Sequence, residues 1–363
     1  MTNLPNSIEL SEATLAALEN RRAPKKVATA QRIPAFDFTK GALVLFMVLY
    51  HWLNYFVGVE GDYYNYLHFL TPSFIFITGF LISHVHFVKY GTGSVRLSGR
   101  LLIRGFKLLA LFVSLNLLIT IFLPGSSVHK AFYNASLSTN LYTIFGSGNV
   151  LIEGIGKAAA FGILVPISYL LICSSGLLFL CRISRYAFHF ACGLLLAPVI
   201  FLAIDNIQAE NLELLMIGLL GVVLGYASGA QITAIVSHRL ALCGAYCFHL
   251  AAITIWGVPL ALRIFGVVLT TALIYLLGDQ KGQPGFLYNR IVLLGKYSLF
   301  GYISQIAILQ VLRYLFRSVD LGIGALVLSL LLGFALTTVC VEVLDLVRAR
   351  VGSVDRLYKA VFA

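Results

Sequence analysis

"DFTKGALVLFMVLYHWLNYF", residues 37 to 56, is almost entirely apolar yet carries an acid, a base and an imidazole in Asp37, Lys40 and His51. Twenty helical residues at 1.5 Å each cover about 30 Å, the thickness of a bilayer's hydrocarbon core. An ionisable group held in that core costs several kcal/mol. The stretch therefore predicts a transmembrane helix that keeps three expensive side chains, and the reason for keeping them is the functional question.

The rest of the chain agrees with a membrane setting. It is 59% hydrophobic and 11% charged, with a mean hydropathy of +0.91, whereas soluble domains run nearer 45–50% apolar and about 25% charged. Windows of the length needed to cross a bilayer fall at 38–57, 66–88, 101–123, 159–181, 186–204, 212–230, 239–258, 260–278, 291–312 and 323–346. The expected fold is all-α, a polytopic integral membrane protein of about ten transmembrane helices. The shortest break is "WGVPLALR", a turn on Gly257 and Pro259 between the seventh and eighth windows.

Lys and Arg set the orientation. A cytoplasmic N-terminus puts Arg21, Arg22, Lys25, Lys26, Arg32, Arg96, Arg100, Arg182, Arg185, Arg239, Arg290, Arg348 and Arg350 inside, and Glu60, Asp62, Asp205, Glu210 and Glu213 outside. Both termini are then cytoplasmic, which ten spans satisfy. The net charge of +11 follows from this asymmetry and from contact with anionic lipid heads; it does not call for nucleic acid.

Three parts are expected: a polar N-terminal tail over 1–33, a transmembrane domain over 34–350 and a cytoplasmic tail over 351–363. The first lacks the apolar core of a signal peptide, though "SIELSEATLAALENRR" suits a short amphipathic helix on the membrane surface. The six cysteines show no zinc or redox spacing and read as small apolar fillers; no metal site is expected. Between the third and fourth windows runs an outer loop, 124–158, of a length that is usually functional or disordered. No internal repeat is visible, which argues against inverted-repeat transporters.

Within the first helix, Lys40 follows Asp37 by three positions and shares its face, so the two can pair. Lys40 can also simply carry its ammonium back to the interface. His51 lies eleven residues further, roughly 16 Å along the axis, past the midplane, where an imidazole can exchange a proton near neutral pH. The second helix, "YLHFLTPSFIFITGFLISH", brings His68 in from the outer side to a similar depth, so that two imidazoles face one cavity if these helices are neighbours. Thr78 offers a hydroxyl for a polar lining. In "VRLSGRLLIRGFKLL", Arg96, Arg100 and Arg104 recur every four residues and form one basic stripe. It serves either as an inner anchor or as a phosphate clamp.

The order Asp-x-x-Lys with a histidine eleven residues on, in "DFTKGALVLFMVLYH", resembles the first-helix signature of the acyltransferase 3 family, membrane enzymes that acylate extracytoplasmic glycans. Lys40 stands where that family most often has Arg. "TPSFIFITGFLI" is similar to its second-helix pattern, with Thr78 in place of Ser. "LGKYSLFGYISQ", residues 294 to 305, resembles its late Gly-x-x-Ser-Leu-x-x-Tyr-x-x-His helix through Gly295, Ser298, Leu299 and Tyr302, but Gln305 replaces His. Gln hydrogen-bonds without exchanging a proton near pH 7, which leaves the proton chemistry to His51. A similar opening occurs in glucosamine N-acetyltransferases and in periplasmic glucan succinyltransferases.

The resemblance implies acyl-CoA, as acetyl-CoA or succinyl-CoA, entering from the cytoplasm as donor substrate, with no permanently bound cofactor. The acceptor is a hydroxyl or amine of an envelope carbohydrate, and the location is a bacterial inner membrane. The expected catalytic residues are His51, Lys40 and Asp37: His51 as general base, Lys40 beside the donor's phosphates, and Asp37, too far along the helix to orient His51, paired with Lys40. The expected substrate-binding residues are Arg96, Arg100, Arg104, His68, Thr78, Tyr302 and Gln305. The alternative class is a transporter or flippase for a glycan or lipid-linked substrate, with His51 as a proton relay and the arginines as anchors.

Overall fold

The computed structural model describes residues 33–58, 61–87, 94–123, 126–152, 156–180, 209–227, 237–279, 285–316 and 322–362, with scattered helical positions between 190 and 234. The expected amphipathic segment of the N-terminal tail and the fifth window, 186–204, fall outside them, apart from those scattered positions.

Pro34 opens α1 (Pro34–Trp52) at its first position, where its missing N–H costs nothing and its fixed φ suits a helix. The helix runs on as a π-helical stretch, Leu53–Val57. After a 3-10 turn over Asp62–Leu67 come α2 (Leu70–Leu81), which ends in a second π-helical stretch, Ile82–Phe87, and α3 (Val95–Phe122), capped by the Ser94 hydroxyl. The long loop holds α4 (Ser127–Asn134) and α5 (Leu137–Leu141), each capped by a serine. Its hairpin pairs β1 (Leu151–Ile152) with β2 (Gly156–Lys157), antiparallel, Leu151 opposite Lys157. Next are α6 (Leu164–Leu180), α7 (Glu210–Leu224), α8 (Arg239–Trp256) and α9 (Leu260–Gly278). The chain closes with α10 (Phe286–Lys296), α11 (Ser298–Leu315), α12 (Ile323–Arg350) and α13 (Gly352–Phe362).

The chain is a helical membrane protein. Among the described residues six stretches are long and apolar enough to cross a bilayer: Pro34–Val57, Asp62–Phe87, Val95–Phe122, Arg239–Trp256, Leu260–Gly278 and Ile323–Arg350. A seventh is counted if α10 and α11 form one bent span. α6 is apolar but has 17 residues, and α7 has 15.

Two features depart from expectation. The ninth window, read as one continuous helix, is bent by 95° between α10 and α11. The break is at Tyr297, whose ring is buried against Val44, Leu294 and Val341 and whose hydroxyl bonds Asp345 on α12. The C-terminal tail is helical in α13: Tyr358 and Phe362 stack on each other at 5.1 Å and meet Tyr297 and Phe300 at 5.4 and 6.0 Å.

Helix α1 packs most extensively on α10 and also on α9 and α11, while α2 packs on α7, and α3 on α6. Small residues make these contacts close, as they do where no hydrophobic drive separates helix from lipid. A Cβ added at Gly295 would collide with the carbonyl of Asp37, and one at Gly41 with the carbonyl of Ile291. Between α2 and α7, a Cβ at Gly79 would collide with the carbonyl of Gly218 and one at Gly221 with the carbonyl of Phe76. At the far end of α1 the Trp52 indole donates to Ser329 Oγ on α12 at 2.8 Å.

Candidate functional site

His51 stands in the last turn of α1, where the helix passes into its π-helical extension; such bulges recur at functional sites because they re-aim side chains. Three tyrosine rings surround the imidazole: Tyr50 at 5.3 Å, Tyr55 stacked at 6.2 Å, and Tyr302 from α11 at 6.2 Å. The His51 Nε2 atom is buried and has no hydrogen-bond partner among the described residues. Leaving such an atom unpaired costs about 1–3 kcal/mol.

Gly301 faces Val44 and Arg313 lies over the Tyr55 ring at 5.9 Å, so α11 runs beside α1 in the same direction and carries Gln305 at the level of His51. Gln305 is fully buried, and neither end of its amide has a partner among the described residues. An imidazole nitrogen and a buried amide thus have polar capacity unspent in a region lined by three phenols. A ligand presenting hydroxyl or carbonyl groups would satisfy it.

At the other end of α1, Lys40 Nζ and Asp37 Oδ1 are 2.7 Å apart. Asp37 is 4% exposed and its backbone lies against Gly295. The expected pair is therefore present, and it is a packed element of the α1–α10 seam. Snorkelling to open water does not describe it.

The remaining expected residues divide. Tyr302 and Gln305 join His51. Thr78 does not offer its hydroxyl to a site: it donates to the Phe74 carbonyl of its own helix at 2.8 Å. His68 does not face His51. It lines a small cavity with His249, Arg263, Gly266, Asn65 and Tyr66, because α2 packs against α7 and the 3-10 turn packs against α8. In that cavity Arg263 pairs with Glu213 at 2.9 Å. Arg96, Arg100 and Arg104 are exposed along α3, whose buried face meets α6 through Leu97, Leu101 and the Ser98–Ser175 hydrogen bond of 2.9 Å. Arg104 lies within electrostatic range of Tyr358 on α13, a ring that Arg348 covers at 3.8 Å and that abuts Tyr297.

Sequence reading missed the segment that closes over His51. Asn116 on α3 clamps Ala160 from both sides, its amide donating to the Ala160 carbonyl at 3.0 Å and accepting from the Ala160 N–H at 2.7 Å. Beside it Phe161 takes a left-handed φ of 57°, a conformation that costs a non-glycine residue about 1–3 kcal/mol and persists only where surroundings impose it. Its ring sits edge-on to Tyr302 at 6.0 Å. Two residues before Ala159, Lys157 is exposed and lies within electrostatic range of His51. No local signal marks it. Tyr50 and Tyr55, by contrast, flank His51 in the stretch 37–56 itself, one residue before it and four after.

Among the described residues no group of three or more metal-ligating side chains is found. No protein-family model, curated protein or solved structure matches the chain.

Proposed function

We propose that this protein is a membrane acyltransferase that moves an acetyl or succinyl group from cytoplasmic acyl-CoA to a hydroxyl or amine of an extracytoplasmic carbohydrate. The observation that carries the reading is the buried, unpartnered His51 Nε2, set among tyrosines at a depth where an idle imidazole has no structural excuse. The motif resemblance of the first, second and late helices points the same way. In this reading the fold has ten spans with both termini cytoplasmic, and the protein sits in a bacterial inner membrane, modifying envelope polysaccharide.

His51 Nε2 takes the proton of the acceptor hydroxyl as its oxygen attacks the thioester carbonyl carbon. The C–S bond then breaks, and the thiolate of coenzyme A leaves with the proton that the His51 imidazolium gives up, which returns the imidazole to its neutral form. General-base assistance of this kind is worth about 10²–10⁴-fold. Gln305 and Tyr302 orient acceptor or carbonyl by hydrogen bonding. The distance along α1 from Lys40 to His51, roughly 16 Å by helical rise, suits an extended pantetheine arm, with the phosphates near the inner cationic groups. Arg104, Arg348 and Lys296, gathered around Tyr297 and Tyr358, are better placed for that than the whole α3 stripe. The transporter reading asks for a chain of groups that exchange protons near neutral pH leading away from His51; its ring neighbours are phenols, whose ordinary range is far above that.

The test is release of free thiol from acetyl-CoA or succinyl-CoA by membranes containing the protein when a glycan acceptor is added, paired with mass spectrometry of envelope glycans with and without the gene. No thiol release and no mass shift with either donor would sink the proposal.

A further inference from the structure

The 3-10 turn Asp62–Leu67 contributes both to the surroundings of His51 and to a second polar cavity. Tyr64 sets its ring edge-on to Tyr50 at 5.5 Å, and Tyr50 meets His51 at 5.3 Å. The next two residues, Asn65 and Tyr66, with His68 just beyond, line the cavity together with His249 of α8 and Arg263 of α9. The turn is fastened to α8 there, because the Tyr66 and Thr254 hydroxyls share a hydrogen bond of 2.8 Å.

Two atoms of the residues lining it have no partner. His249 is 6% exposed, and α9 comes so near its ring that a Cβ added at Gly266 would stand 2.5 Å from Nε2. Its Nδ1 is buried with no hydrogen-bond partner among the described residues, and the same holds for the Nε of Arg263. The guanidinium meanwhile holds Glu213 through Nη1 at 2.9 Å, so what the cavity lacks is hydrogen-bond partners and not a counter-ion. Its free space is that of about one hydroxyl group, and its lining includes the exposed Tyr66 and His68. A neutral hydroxyl fits these terms: it accepts from Arg263 Nε–H and serves His249 Nδ1 in either tautomer. The Tyr66 and Tyr246 rings beside it offer flat apolar faces on which the C–H side of a sugar ring packs.

We propose that this cavity is a second sugar-binding subsite, which takes one hydroxyl arm of a hexose unit belonging to the same oligosaccharide whose reacting unit is at His51. The inference rests on the carbohydrate acceptor of the acyltransferase reading and deepens it: the acceptor is a neutral oligomer laid along the 3-10 turn. A ligand held at both places gains affinity from the second contact without a second encounter.

Two arms separate this idea from the reading it rests on. In the first, the full chain in lipid nanodiscs is titrated, without donor, with neutral hexose oligomers of one to six units, α- and β-linked, and binding is followed by saturation-transfer NMR. The longer oligomers of at least one linkage should bind roughly tenfold or more tighter than the monomer, the scale of one added buried contact. His249→Leu and, on the separate 3-10 turn, Asn65→Ala should each shrink that ratio. His249→Asn, whose amide can stand where Nδ1 stood, should restore most of it. Binding by no oligomer, which means a cavity that holds water only, overturns the subsite. So does equal binding of long and short oligomers, or a length dependence that survives both variants. The second arm measures acyl transfer from acetyl-CoA and succinyl-CoA to the same series. Turnover with kcat/KM indifferent to acceptor length removes the subsite and keeps the acyltransferase reading. Length-dependent binding, lost in the variants, without turnover of either donor by the wild type leaves the subsite standing and removes that reading.

Discussion

The His51 and Tyr302 rings lie with centroids 6.2 Å apart, tilted by 46°, although 251 positions separate them in the chain (302 − 51). This contact joins the first-helix histidine to the late-helix motif, and Phe161, just before α6, sets its ring edge-on to Tyr302 at 6.0 Å. Three separate segments converge on one imidazole.

Replacing that imidazole should separate chemistry from stability. His51→Ala is expected to reduce acyl transfer to under a tenth of wild type, while the unfolding midpoint in detergent holds or rises, since an unpartnered buried nitrogen is removed. Thiol release and a thermal melt on the same preparation check it. Substantial turnover in the variant would dismiss His51 as general base.

At the other end of α1 the expected effect is on stability as well as activity. Lys40→Ala leaves the carboxylate of Asp37 buried without its 2.7 Å partner, a loss of about 3–5 kcal/mol for a truly buried pair. Lys40→Arg should keep the charge and most of the stability. Adding Asp37→Asn to Lys40→Ala should recover part of the melt; if it also recovers activity, the pair is structural only.

The seam between α1 and α10 has no room for a side chain at Gly295. Gly295→Val should lower the unfolding midpoint and the monodisperse yield, because overpacking costs typically 1–3 kcal/mol and here the obstacle is backbone. Gly285→Val, with open space around its Cβ direction, is the control and should be near neutral. Size-exclusion chromatography of the two variants side by side decides it.

The arginines of α3 should divide in their effect on the donor. Arg104→Gln, beside the Tyr297–Tyr358–Arg348 cluster, is expected to raise the KM for acyl-CoA more than it lowers kcat, since contacts remote from the reacting carbonyl supply uniform binding. Arg96→Gln should leave that KM nearly unchanged. Oriented vesicles given donor on one face at a time complete the test: turnover with donor at the outer face alone would leave these arginines as topology anchors.

The docking of α13 should respond to acid in a narrow window. Hydrogen bonds from Lys359 and then Arg348 hold the Asp355 carboxyl below the ordinary aspartate range. A depressed carboxyl stabilises fully above its unfolded pKa, about 3.9, and the contribution is lost as pH falls through the lower folded value. The protection of residues 352–362 against hydrogen exchange, taken relative to the intrinsic rate at each pH, should be constant from about pH 8 to 5 and fall only below about pH 4. Protection lost near pH 6 would assign the anchor to a different group.

Much of this molecule is legible in its residue order because hydropathy over a bilayer-length window is a local property. α1, α3, α8, α9 and α12 stand where their apolar windows put them, and three-residue spacing on one helix suffices to pair Asp37 with Lys40. What required the fold is every relationship between helices. The bend at Tyr297 depends on a buried phenol reaching Asp345 on α12. His68 turns from His51 to His249 because glycine contacts seat α2 on α7. Phe161 reaches Tyr302 beside His51 because Asn116, 44 residues before Ala160 in sequence, fastens that neighbour. Apolar periodicity sets which face of a helix is buried, but in lipid every neighbour offers a similar apolar surface, so partners are chosen by small-residue contacts and buried polar bonds that only the assembled bundle brings together.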